Sequence, residues 1–167
     1  GNSGNDNIQG SQFADTIFSG NDNDIVSGLG GNDKIYGEGG NHNLFGDGNS
    51  GFWDRFGGDD FIDGGKGADK LYGGKGADTL YGGKGNDHLE AGEEDEYKIV
   101  NGQGSGDINH LYGEEGNDTL IGGAGVDHLY GGTGDDTLYA GEKNNREVII
   151  TGDPYNGGNY TVHTHPD

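Results

Sequence analysis

GGKGADKLY at 64–72, GGKGADTLY at 73–81 and GGKGNDHLE at 82–90 decide how the rest of the chain is read. These nonapeptides share one grammar, G-G-x-G-x-D-x-U-x, where U is a large aliphatic residue. It returns as GEEGNDTLI at 113–121, GGAGVDHLY at 122–130 and GGTGDDTLY at 131–139. With the Asp set as the sixth residue and the count carried outward in nines, the looser units 1–9, 10–18, 19–27 and 28–36 place Asp6, Asp15, Asp24 and Asp33 there. Units 37–45 and 46–54 keep the spacing but carry His42 and Gly51. Unit 55–63 restores the acid with Asp60, followed by Asp69, Asp78 and Asp87.

Ten units therefore read in phase over a first block, 1–90. Residues 91–103, AGEEDEYKIVNGQ, break the phase, either as an acidic loop or as a degenerate rung with a four-residue insertion. A second block, 104–139, resumes with Asn109 in the acid place and continues through Asp118, Asp127 and Asp136. In 140–167 the grammar decays. A degenerate rung is expected there, followed by two strand-like pieces, EVIIT (147–151) and NYTVHT (159–164), as a terminal hairpin or cap.

Each unit divides mechanically. Glycines permit positive φ and close backbone approach, so the first six residues predict a turn. The last three alternate outward, inward, outward, which predicts a short strand. The inward places read Ile8, Ile17, Val26, Ile35, Leu44, Trp53, Ile62, Leu71, Leu80 and Leu89, then Leu111, Leu120, Leu129 and Leu138. No helical period of apolar residues is present.

Composition narrows the function. Of 167 residues 40 are Gly, 28% are hydrophobic, none is Cys or Met, and the net charge is −21. Low hydrophobicity with high charge marks chains that do not fold alone. Ordering a backbone costs about 1–2 kcal/mol per residue, and one buried Leu or Ile returns only about 1.5–3 kcal/mol per unit. Acids recurring at fixed intervals beside Gly point to a counter-ion as the missing contribution. Nucleic acid is not an expected partner, since its phosphates would be repelled. No apolar run reaches transmembrane length, and without Cys there are neither disulfides nor thiolate sites. The chain starts inside the repeat grammar at Gly1 and is expected to be a piece of a larger protein.

The grammar resembles the nonapeptide repeat of the RTX (repeats-in-toxin) family, closely over 1–139 and poorly in the tail. The resemblance implies an all-β, right-handed parallel β-roll in which units 18 residues apart stack. It also implies several bound Ca²⁺ ions. The stacked acids would be Asp6 with Asp24, Asp15 with Asp33, Asp60 with Asp78, Asp69 with Asp87, Asp118 with Asp136, and Asp127 with Asn109 and Asn145. A gap or irregular ligation is expected at His42 and Gly51. Ca²⁺ takes six to eight oxygens from carboxylates and carbonyls. Unobstructed carbonyls would come from turns containing Gly64, Gly65, Gly67, Gly73, Gly74, Gly76, Gly82, Gly83, Gly85, Gly122, Gly123 and Gly125. The family further implies type I secretion of a bacterial protein that stays extended in the cell and folds on meeting Ca²⁺ outside.

The expected function is a non-enzymatic calcium-binding module of a secreted toxin, adhesin or exoenzyme, acting on its neighbouring domains. The rival readings are a module binding glycan or a host receptor, and the non-catalytic tail of a secreted hydrolase or epimerase. Tyr36, Tyr72, Tyr81, Tyr112, Tyr130 and Tyr139 share the outward ninth place. They read as strand formers or as an aromatic stripe for such a ligand. Trp53, with Phe52 and Phe56, reads as a hydrophobic plug or a recognition loop. His163 and His165 alternate along a strand but lack a third candidate ligand. Glu93, Glu94, Asp95 and Glu96 read as a solvated face. No catalytic constellation is found.

Overall fold

A computed structural model describes residues 1, 3–48, 57–93, 99–100, 103–104, 108–123, 126–139, 147–150 and 159–163. Successive rungs alternate between two parallel sheets. One holds, in spatial order, β1 (Asn7–Gln9), β3 (Ile25–Leu29), β5 (Asn43–Asp47), β7 (Lys70–Lys75), β9 (His88–Glu93), β13 (Thr119–Ile121), β15 (Asp135–Tyr139) and β17 (Asn159–His163). The other holds β2 (Thr16–Asn21), β4 (Lys34–Gly39), β6 (Phe61–Lys66), β8 (Thr79–Lys84), β12 (Ile108–Glu115), β14 (Val126–Thr133) and β16 (Glu147–Ile150). This is the parallel β-roll the repeat implies. A small antiparallel pair, β10 (Ile99–Val100) with β11 (Gln103–Gly104), lies apart from both sheets. Among the described residues no helix is long and apolar enough to cross a membrane.

Trp53, expected in the inward column, lies outside the described residues; the other expected members from Ile17 to Leu138 form the core, with Ile8 packed against its end. Val26, Ile35, Leu44, Ile62 and every Leu of the column from Leu71 to Leu138 are fully buried. The strands run longer than the x-U-x triplet. β6, β7 and β8 each continue through the Gly-Gly-Lys of the following unit. Glycine there does not end the ladder; it lets the ladder continue while the backbone bends at the second place. The turn proper shrinks to the fourth to sixth places.

Two segments leave the stack. Ile35 pairs with Ile62 and Leu44 with Leu71, 27 residues apart, where Ile17 and Ile35 are 18 apart. Nine residues are surplus. Gly46 backs onto the Asp60 carboxylate and the Gly73 carbonyl as a first-place glycine does, Gly57 lies against Lys75, and Gly58 lies between Gly31 and Gly76. One turn therefore reads Gly46-Asp47-Gly57-Gly58-Asp59-Asp60, with 48–56 inserted after its second residue. The expected rung at 46–54 is corrected accordingly: no strand stands between Leu44 and Leu71, or between Ile35 and Ile62. Phe52, Trp53 and Phe56 lie outside the described residues.

The second excursion is longer. Leu80 pairs with Leu111 and Leu89 with Leu120, a spacing of 31. Ala91, Gly92 and Glu93 still belong to the roll, because Gly73 backs onto the Ala91 carbonyl and Gly74 pairs with Gly92. The insertion therefore follows Glu93 rather than Glu90. The second block continues the sheets of the first: His110 pairs with Thr79 and Thr119 with His88.

The tail departs from a hairpin. β16 and β17 form but do not pair with each other. β16 lies parallel on β14 and β17 parallel on β15, so each adds a final strand to one sheet.

Deleting residues 48–56 is expected to leave the calcium-dependent circular dichroism and the melting temperature of the chain close to those of the parent. A loss of several degrees would show that this segment supplies a rung.

Candidate metal centre

The turns stack along the two edges of the roll, and their sixth residues form two columns. One runs Asp6, Asp24, His42, Asp69, Asp87, Asp118 and Asp136; the other runs Asp15, Asp33, Asp60, Asp78, Asn109 and Asp127. One contact recurs at the steps between carboxylates: the main-chain N–H of one acid-place residue donates to Oδ1 of the next, while at His42 the Asp24 N–H donates to Nδ1 at 3.3 Å. The distance is 2.8 Å from Asp6 to Asp24 and from Asp15 to Asp33. It is 2.9 Å from Asp60 to Asp78, from Asp69 to Asp87 and from Asp118 to Asp136. Across the insertions the ladder continues, from Asp33 to Asp60, His42 to Asp69, Asp78 to Asn109 and Asp87 to Asp118. Asn109 reaches Asp127 through its side-chain amide at 2.9 Å.

Each expected acid pair among the described residues is thus brought together. The register sets Val148 opposite Asp127 and Tyr160 opposite Asp136, because the tail is no longer spaced in nines. Asn145 lies outside the described residues.

The second carboxylate oxygen carries the chemistry. Oδ2 of Asp33, Asp60, Asp69, Asp87, Asp118 and Asp136 is buried with no hydrogen-bond partner. For all of these but Asp136, it faces a hollow left by a first-place glycine: Gly28, Gly46, Gly64, Gly82 and Gly113 in turn. A Cβ on Gly64 would stand 2.7 Å from Asp69 Oδ2 and 2.7 Å from the Gly82 carbonyl oxygen. On Gly82 it would stand 2.6 Å from Asp87 Oδ2 and 2.8 Å from the Gly113 carbonyl. Gly73 and Gly122 hold the same place beside Asp78 and Asp127. The other glycines shape the backbone instead. Gly65, Gly74, Gly83 and Gly123 in the second place, and Gly67, Gly76 and Gly85 in the fourth, all have φ between +78 and +138. Gly125 lies outside the described residues.

A buried carboxylate oxygen without a donor is costly, by about 1–3 kcal/mol or more. The carboxyls answer by holding protons. Burial, opposed by the main-chain hydrogen bond, raises Asp33, Asp69 and Asp87 to about 6 and Asp118 to about 7. Asp60 is pushed furthest, to about 9, by burial and by the nearby Asp78, Asp47 and Asp33 carboxylates. Asp47, buried in a second place usually held by Gly, accepts from the Lys75 N–H at 2.7 Å and was not anticipated. Its signal was an acid directly after Gly46, concealed by the inserted segment.

The donors are all oxygens, one carboxylate per turn with main-chain carbonyls around it. Among the described residues no three His, Asp or Glu side chains converge, so the carbonyls must complete any ligand set. A hard cation that accepts carbonyl oxygen fits this arrangement.

The tyrosine stripe divides between the sheets. Phe18 stacks on Tyr36 at 4.8 Å, Tyr81 on Tyr112 at 4.6 Å and Tyr112 on Tyr130 at 4.6 Å. On the other sheet Phe45 stacks on Tyr72 at 4.8 Å. His165 lies outside the described residues.

No curated protein matches the chain. A family model does: four copies of the RTX calcium-binding nonapeptide repeat match residues 1–33, 20–52, 55–89 and 103–138.

Proposed function

The chain belongs to the RTX calcium-binding nonapeptide-repeat family, and from that premise we propose that it is a non-enzymatic module of a secreted bacterial toxin, adhesin or exoenzyme, exported extended by type I secretion and folded by Ca²⁺ outside the cell. Its Ca²⁺ ligands are the two acid columns together with the carbonyls of the first-place residues. The observation that carries this is the row of buried, donorless Oδ2 atoms facing glycine hollows. A protein does not retain five such oxygens unless something positive meets them. In low Ca²⁺ the same row is mutual repulsion, which keeps the chain extended. Its role towards neighbouring domains is that of a stiff spacer that forms on arrival.

The glycan or receptor reading drew on the tyrosine stripe and on the Trp53 loop, the latter outside the described residues. Within the stacked pairs the ring faces lie against one another, so they are not presented to a sugar, and the scaffold reading is favoured. Equilibrium dialysis tests the calcium assignment. Several Ca²⁺ per chain should be retained against millimolar Mg²⁺, whose small octahedral shell suits carbonyl cages poorly. Equal retention of both ions, or of neither, contradicts it.

A further inference from the structure

His42 occupies the acid place of its turn and is only 1% exposed. Its main-chain N–H donates to Asp69 Oδ1 at 2.7 Å, as the acids of the ladder do. Its ring lies where a carboxylate lies elsewhere. Cδ2 is 2.7 Å from the point where a Cβ on Gly37 would stand, the same separation that Asp69 Oδ2 has from Gly64, and the Gly64 carbonyl closes the hollow. Nδ1 faces Asp24, 3.3 Å from its N–H and 3.4 Å from Oδ2. Nε2 is buried without a hydrogen-bond partner.

In the neighbouring turns the orphaned atom is an oxygen, and a hard cation satisfies it. Here the orphaned atom is an imidazole nitrogen. Ca²⁺ is bound by oxygen, whereas imidazole suits Zn²⁺, Cu²⁺ and Ni²⁺. We propose that the His42 turn is a different kind of metal site, one that takes a borderline divalent transition ion, typified by Zn²⁺, within a column otherwise built for Ca²⁺. This rests on the reading of the columns as cation sites. His42 Nε2, next to Cδ2 in the ring, is the nitrogen donor, and the Gly64 carbonyl lies at the hollow that Cδ2 faces. Asp24 is the positioning residue. With the proton on Nδ1, the ring donates to Asp24 Oδ2 in place of accepting from the Asp24 N–H. That tautomer leaves the Nε2 lone pair free for the metal, as carboxylates behind metal-bound histidines generally do.

The test uses the full chain saturated with Ca²⁺ and titrated with ZnCl₂ by calorimetry. His42→Asp serves as the variant because it restores the residue that the fold carries elsewhere. The parent should bind one equivalent of Zn²⁺ at least tenfold more tightly than the variant does, and circular dichroism should find both folded in Ca²⁺. Equal Zn²⁺ binding by parent and variant assigns it to the outward His88, His110 or His128 and overturns the proposal. Absence of a tight equivalent in the parent overturns it too. A parent that Ca²⁺ fails to order, seen by circular dichroism of the same samples, overturns the calcium reading itself and with it this one.

Discussion

In chelator at pH 8 the far-UV circular dichroism of the chain is expected to be that of an unordered polypeptide, and millimolar Ca²⁺ should convert it cooperatively to β-sheet. One aliphatic side chain per nine residues does not offset the ordering of nine backbones, and the buried acids add repulsion when ionised. Acid should partly replace the metal. The folded carboxyls titrate from about 6 to about 9, against 3.8 in the unfolded chain. The folded state therefore holds protons that the unfolded state releases, and its stability falls as pH rises through that window. Without metal, β-structure should be greatest near pH 4 and lost progressively towards pH 9. With Ca²⁺ the trend reverses, since the metal needs the deprotonated ligands. A chain fully ordered in chelator at pH 8 would contradict both the energetic argument and the assigned ligands.

Gly85→Ala should be among the most damaging single substitutions of ordinary size. Gly85 has φ +134, and a Cβ there would overlap the Gly67 carbonyl oxygen of the preceding rung. That oxygen is main chain in a ladder and has no rotamer by which to retreat. Strained backbone and steric overlap together place the expected loss at about 4 kcal/mol or more. It would be read as a large rise in the Ca²⁺ concentration needed for folding. The adjacent Lys84→Ala is the control. Lys84 meets Glu115 at 2.7 Å, but both are more than half exposed, and surface pairs are worth about 0–1 kcal/mol. Similar losses from the two substitutions would contradict the close-stacked turn.

The acid columns and the aliphatic column were legible because each uses one residue type at one place in the repeat. What escaped reading has physical causes. An insertion of nine residues cannot be detected by counting in nines, so 46–54 passed for a rung. Only the pairing of Ile35 with Ile62 exposes it. The thirteen-residue excursion breaks phase and was visible, yet its start was placed before Ala91, Gly92 and Glu93, whose places in the turn depend on contacts with Gly73, Gly74 and Lys75. Gly-Gly-Lys was read as turn because glycine usually interrupts strands, whereas here a parallel neighbour of the same sequence supports it. Val148 and Tyr160 opposite the last acids follow from a pairing distance that the repeat no longer dictates.

Both excursions depart from turns on the same edge, the one carrying Asp60 and Asn109, with the single intact turn at Asp78 between them. The opposite edge, from Asp24 to Asp136, changes direction within a few residues at every described corner. Natural lengthening has been accepted on one margin without disturbing the strands beside it, as expected when each doubling of a loop costs only about 0.6 kcal/mol. That margin is where a foreign peptide or a small folded cargo can be grafted, side by side at two ports a pair of strand spacings apart, about 10 Å.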